Sequence, residues 1–156
     1  MNSSPANVML PLIHTVVLAL HVLFAASWFG LGLALPSLAR AAMARGYAEG
    51  GRVMASMNGS VVLFYVFALA NWIIGRRLGF EAYDAWPYHA ALTLGLVLVI
   101  IQFALILPGW RKLVNGTGTP DAEAGRRRIA MGVGLGHLVW IATFVLMYVG
   151  RGVIGG

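Results

Sequence analysis

The stretch LIHTVVLALHVLFAASWFGLGLALP, residues 12–36, decides how the chain folds. It carries no Asp, Glu, Lys or Arg and is long enough, as a helix, to cross a hydrocarbon core about 30 Å thick. His14, His21 and Trp28 interrupt it at intervals of seven residues. In a helix that interval is close to two full turns, so the three side chains share one face at spacings of about 10 Å. The remaining positions are mostly Leu, Val, Phe and Ala, which suit lipid or packed neighbours. An imidazole in such a setting needs a partner.

The whole chain has the same character. Of 156 residues, 60% are hydrophobic and only 10% charged, against roughly a quarter charged in a soluble domain. This composition predicts an integral membrane protein with the lipid bilayer as its main partner. The absence of cysteine excludes disulfides, thiolate metal sites and cysteine-ligated clusters, leaving His, Met, carboxylate and backbone as metal ligands. The net charge of +6 does not imply a nucleic-acid partner, because the basic residues sit at the ends of apolar runs, where membrane orientation is set.

Four spans are expected, near residues 8–36, 52–74, 88–110 and 120–149, giving an all-α integral membrane four-helix bundle in one domain over 1–156. Pro36 is expected to close the first helix and Pro87 to open the third. Thr119-Pro120-Asp121 reads as an N-cap, a first-turn proline and a dipole-matching acid for the fourth. The start lacks the basic region of a cleavable signal peptide. Arg40, Arg45, Arg52, Arg111, Lys112, Arg126, Arg127 and Arg128, eight of the eleven basic residues, flank two connections. Those connections are therefore expected in the cytoplasm, with both termini periplasmic, in a bacterial inner membrane. Trp72, Tyr83, Trp86, Tyr88 and Tyr148 then form the outer aromatic belt, and Tyr47 and Trp110 the inner one.

Depth sorts the histidines. His21 lies near the middle of the first span, and His137, about eight residues past Ile129, where the last apolar run begins on the other side, is expected within about a turn of the same level. His14 and His89 share the outer leaflet. A histidine inside a span is costly and marks a functional site by default; the alternative is an imidazole bonded across helices to Ser27, Asn58, Asn71 or Gln102. Gly132 and Gly136 present a small-residue face beside His137, and Gly30 lies opposite on the first span, so a helix or a porphyrin plane could approach there. The sharper expectation is one b-type haem held by His21 and His137 with Trp28 beside it, passing electrons.

His21, Trp28 and Pro36, in the pattern His-x6-Trp-x7-Pro, resemble the first helix of the membrane-type protoporphyrinogen IX oxidases and of the wider copper-resistance-protein-D-like superfamily. The resemblance covers the first helix closely and the others by layout. It implies a small four-helix bundle and, in the oxidase branch, haem b held by the histidine matched by His21. That family carries a lysine early in its third helix, in a stretch resembling His-Ala-Lys-Leu, where this chain reads His89-Ala90-Ala91-Leu92. Alanine supplies no cation to a propionate, so haem binding without oxidase activity is the expectation.

Copper is the lesser cofactor expectation, with His14, His21, His89 and His137 as its candidate ligands, because Met9, Met54, Met57, Met131 and Met147 form no cluster with histidine along the sequence. A protoporphyrinogen-oxidising enzyme and a copper-handling or structural membrane protein remain the alternatives. A redox partner, a quinone and a homo-oligomer remain open as further partners.

Overall fold

A computed structural model describes the backbone of residues 5–154 and the side chains of residues 9–44 and 46–149. Four long helices follow in order: α1, Pro5–Arg45; α2, Ala48–Arg77; α3, Trp86–Asn115; and α4, Pro120–Ile154. A single 3₁₀ turn, Glu81–Asp84, links α2 to α3. All four helices are long and apolar enough to cross a membrane. The chain is thus an all-α, multi-pass bundle suited to a bilayer. α1 packs mainly along α2 and α3 along α4, while α1 meets α4 and α2 meets α3 to close the ring.

The helices outrun the expected spans. Pro36 does not close α1, which runs on to Arg45 with both Pro11 and Pro36 inside it. A proline removes only its own N–H and crowds the carbonyl four residues back; for Pro36 that residue is Gly32. The helix stops instead at Gly46, whose φ of 104° suits glycine. Pro87 does sit in the first turn of α3. At the head of α4, Thr119 Oγ1 accepts from the Asp121 N–H at 3.2 Å, as an N-cap should.

Inside α3 the residues Gln102–Ile106 widen into a π-helix, where the Leu107 N–H reaches back to the Gln102 carbonyl. Pro108 follows, so the Ala104 carbonyl four residues earlier has no N–H of the regular ladder to accept. Arg128 Nη2 on α4 donates to that oxygen at 2.8 Å. A freed backbone group in a membrane helix is thereby satisfied by its neighbour. Below it α3 and α4 approach backbone to backbone: a Cβ at Gly125 would lie 2.5 Å from Leu113 N and 2.7 Å from Gly109 O. The Lys112–Asp121 ion pair, at 3.0 Å, ties the same end.

The core is aliphatic and aromatic, with Trp28, Leu35, Met57, Leu98, Ile106 and Leu113 fully buried. Residues such as Leu12, Leu33, Ile100 and Leu138 point outward, as lipid-facing side chains do. Tyr47 and Trp110 meet edge to face at the basic end, with ring centroids 6.3 Å apart. Within the core lies a polar layer around Gln102. Trp28 Nε1 donates to Gln102 Oε1 at 2.9 Å, and Gln102 Nε2 donates to Asn58 Oδ1 at 2.8 Å and to Met54 Sδ at 3.5 Å.

Candidate functional site

His21 is buried on the inner face of α1, stacked on Phe64 of α2 with ring centroids 5.0 Å apart. Its Nδ1 lies 3.1 Å from the Phe64 carbonyl oxygen. A carbonyl only accepts, so Nδ1 carries the hydrogen and, in the neutral ring, Nε2 keeps the lone pair. This is the arrangement found at metal-ligating histidines, where one nitrogen is pinned to a carbonyl and the other is left basic. The side-chain amides expected as imidazole partners are engaged elsewhere, and Ser27 turns back to the Leu23 carbonyl.

The ring borders a groove at the end of the bundle opposite the basic connections. Its walls are Phe64, Tyr65, Ala68, Asn71 and Trp72 from α2, Tyr83 from the 3₁₀ turn, Tyr88, Ala91, Leu92 and Gly95 from α3, and Thr143 and Met147 from α4. The groove measures about 410 Å³, but water-sized space within it amounts to about 30 Å³. Asn71 stands seven residues, about two turns or about 10 Å, beyond Phe64, and is only 5% exposed. Asn71 Nδ2 donates to the Tyr83 hydroxyl at 2.9 Å, and His14 Nε2 lies 3.1 Å from the same hydroxyl. Trp72 Nε1 donates to the Tyr83 carbonyl at 3.0 Å, which seats the 3₁₀ turn on α2. Asn71 Oδ1 is buried without a hydrogen-bond partner among the described residues. His89, exposed at the head of α3, meets Trp72 edge to face at 5.9 Å.

His21 and His137 are not brought together. His137 Nε2 lies 3.1 Å from the Phe29 carbonyl, and its ring packs on Phe29 and Trp28. Counted from the basic end, His137 is 137 − 120 = 17 residues into α4, and His21 is 45 − 21 = 24 residues back along α1. The seven-residue difference is about 10 Å of axial rise. The expectation of one level ends the first helix at Pro36 and counts His137 from Ile129, whereas α1 runs to Arg45 and α4 begins at Pro120.

The small-residue face proves to be helix packing. A Cβ at Gly136 would sit 2.5 Å from Trp28 Cη2, one at Gly132 2.7 Å from Ile106 Cγ1, and one at Gly32 2.9 Å from His137 Nε2. The space beside those glycines is filled by this chain's own side chains. Gly30 meets nothing within 4 Å and faces outward. Trp28, for its part, holds the Gln102 layer.

A porphyrin gripped by His21 and His137 therefore does not fit this bundle. The donor set at His21 alone suits haem iron, yet the folded groove does not hold the macrocycle: even a dry cavity of about 150 Å³ takes a ligand only the size of benzene. Ring entry would require Tyr65, Tyr88 and Met147 to turn aside. Among the described residues, no three of His, Cys, Asp and Glu cluster as a metal site, and Met147 is the one thioether lining the groove. Ala91 lies in the groove wall and brings no cation. Arg76 is paired with Asp84 at 2.7 Å and lies over the Trp72 ring.

Asn71, Tyr83, Thr143 and Met147 are groove residues that the sequence reading did not single out as a site. For Asn71 the signal was present, because an uncharged amide deep in an apolar span faces the bundle interior. Tyr83 lies outside the spans and carried no such signal. Comparison of the chain with family models, curated proteins and solved structures gives no match.

Proposed function

We propose that the chain is a membrane redox protein that takes haem b through His21 alone, as the histidine ligand on the groove side. The observation that supports this reading is the Nδ1–H···O=C bond to Phe64, which orients the imidazole and reserves Nε2. Bound there, haem would supply one-electron chemistry within the bilayer. The chain's own residues fix the ring through Phe64 and line the groove beside it with Tyr65, Trp72 and Tyr88, which a flat ligand would have to displace. The resemblance of His21, Trp28 and Pro36 to the oxidase and copper-resistance-protein-D-like helix agrees with a ligating role for His21. With alanine at position 91 and Arg76 paired to Asp84, the oxidase reading lacks its cation. The end rich in arginine is read as cytoplasmic and the groove as opening toward the periplasm of a bacterial inner membrane.

The test is haem titration of the purified protein in detergent, followed by reduced-minus-oxidised spectra. The wild type and His137→Ala are expected to bind haem alike, and His21→Ala to lose it. No haem uptake by the wild type, or loss in His137→Ala with retention in His21→Ala, would sink the proposal.

A further inference from the structure

Two polar atoms near the middle of α4 are left without partners. His137 Nε2 donates to the Phe29 carbonyl at 3.1 Å, so in the neutral ring Nδ1 keeps its lone pair. Neither that Nδ1 nor the indole N–H of Trp140 has a hydrogen-bond partner among the described residues. Both residues are half-buried, and neither atom is sealed inside the bundle as Asn71 Oδ1 is. Counted from Ile129, where the apolar run of α4 begins, His137 stands about 12 Å and Trp140 about 16 Å along the axis, close to the middle of a hydrocarbon core about 30 Å thick. At that level the lipid side holds no water, and an unsatisfied polar group is costly. Tryptophan ordinarily sits at the membrane boundary, where its N–H is wet.

The two atoms belong to one aromatic seam between α1 and α4. Phe29 of α1 lies against both rings, its centroid 4.4 Å from that of His137 and 4.6 Å from that of Trp140. The exposed Phe144 stacks on Trp140 at 5.7 Å with the planes 3° apart. Gly134, about one turn before His137, is exposed with nothing within 4 Å of the place a Cβ would take, so a ring can lie close to the α4 backbone there. None of these residues lines the His21 groove. An acceptor and a donor three residues apart on one helix, roughly 5–6 Å between side chains, are matched by a flat apolar ligand that donates at one end and accepts at the other. An acyl chain does neither. A para-dihydroxy aromatic ring does both, because its hydroxyls stand at opposite ends of the ring at a comparable separation and each can donate or accept. We propose that this seam binds the ring of a lipid-tailed quinol against Phe29, one hydroxyl donating to His137 Nδ1 and the other accepting from Trp140 Nε1.

The inference goes beyond the haem reading and does not depend on it, so it is tested on haem-free protein. Tritiated decylubiquinol, kept reduced, is titrated onto the full chain in lipid nanodiscs and followed by scintillation proximity counting, with empty nanodiscs subtracting uptake by the lipid. Saturable binding of one quinol per chain is expected. Trp140→Phe, which keeps a ring and removes the N–H, and His137→Phe, which removes the acceptor, are each expected to weaken binding by about 3- to 20-fold, the range that one hydrogen bond in a bilayer supplies. Trp86→Phe, at an exposed position at the head of α3, is expected to bind as the wild type does. The dimethyl ether of the same quinol, which has no O–H to donate, is expected to compete at least about threefold more weakly. Circular dichroism checks that each variant folds, and the ether comparison on the wild type needs no variant at all. Wild-type uptake no greater than that of empty nanodiscs would overturn the proposal. So would wild-type affinity in a folded Trp140→Phe protein, or equal competition by the dimethyl ether.

Discussion

Replacing Gln102 with leucine removes the hub of the inner polar layer while keeping the side chain's bulk. Gln102 is fully buried and accepts from Trp28 Nε1 while donating to Asn58 and Met54. Leucine leaves the indole N–H and the Asn58 oxygen unpaired. In a soluble core each orphan would cost about 1–3 kcal/mol. Within a bilayer the unfolded reference state finds partners too, and single interhelical hydrogen bonds average about 0.6 kcal/mol with a ceiling near about 1.7. Two lost bonds therefore predict a destabilisation of about 1–3 kcal/mol, with no hydrophobic gain because lipid is as apolar as the core. Unfolding by SDS in mixed micelles, followed by circular dichroism, measures it. In a Trp28→Phe background the same change should cost less, by the energy of the indole bond, about 0.6–1.7 kcal/mol. A neutral Gln102→Leu, or costs that simply add in the double variant, would refute the view that this layer staples α1 to α2 and α3.

Two further outcomes follow from the packing and the charge. Gly136→Ala should destabilise by about 1–3 kcal/mol, because the new methyl meets Trp28 Cη2 and the indole is held by Gln102, whereas Gly30→Ala, with nothing nearby, should be neutral or mildly stabilising; equal effects in the SDS assay would contradict the packing assigned to this face. An alkaline phosphatase fusion at Gly156 should be active and one at Thr117 inactive, and the opposite pattern would reverse the orientation read from the basic connections.

Much of the fold was legible because it depends on length and composition. Four uncharged stretches of about 20 residues have few solutions in a bilayer other than four helices, and Thr119-Pro120 marked the start of α4 correctly. The depth of the histidines was less legible. It depended on where α1 ends, and Pro36 misled because a proline in a membrane helix costs one hydrogen bond rather than the helix. The glycines beside His137 were ambiguous for another reason: a small-residue face states that something approaches closely but not what. Here the visitors are Trp28 and Ile106, which reach it from α1 and from the π-segment of α3. No periodicity in the sequence signals that a π-bulge will turn Gln102 toward Trp28.

The two polar layers differ in how fully their hydrogen-bonding capacity is used. Around Gln102 every contact is reciprocal: the amide oxygen accepts from Trp28, the amide nitrogen donates to Asn58 and Met54, and nothing buried there is left over. A saturated network of this kind rigidifies a core and offers no valence to a ligand. Two turns further out the balance changes. His21 spends one nitrogen on the Phe64 carbonyl and keeps the other, and Asn71 spends its amide hydrogen on Tyr83 and keeps its oxygen. Both residues are 5% exposed, and Asn71 Oδ1 is buried without a partner among the described residues. A buried polar group carrying spare capacity costs stability, and a bundle already stapled at Gln102 tolerates that cost without losing its fold. The unspent acceptors, rather than the number of histidines, are what distinguish the outer groove from the Gln102 layer.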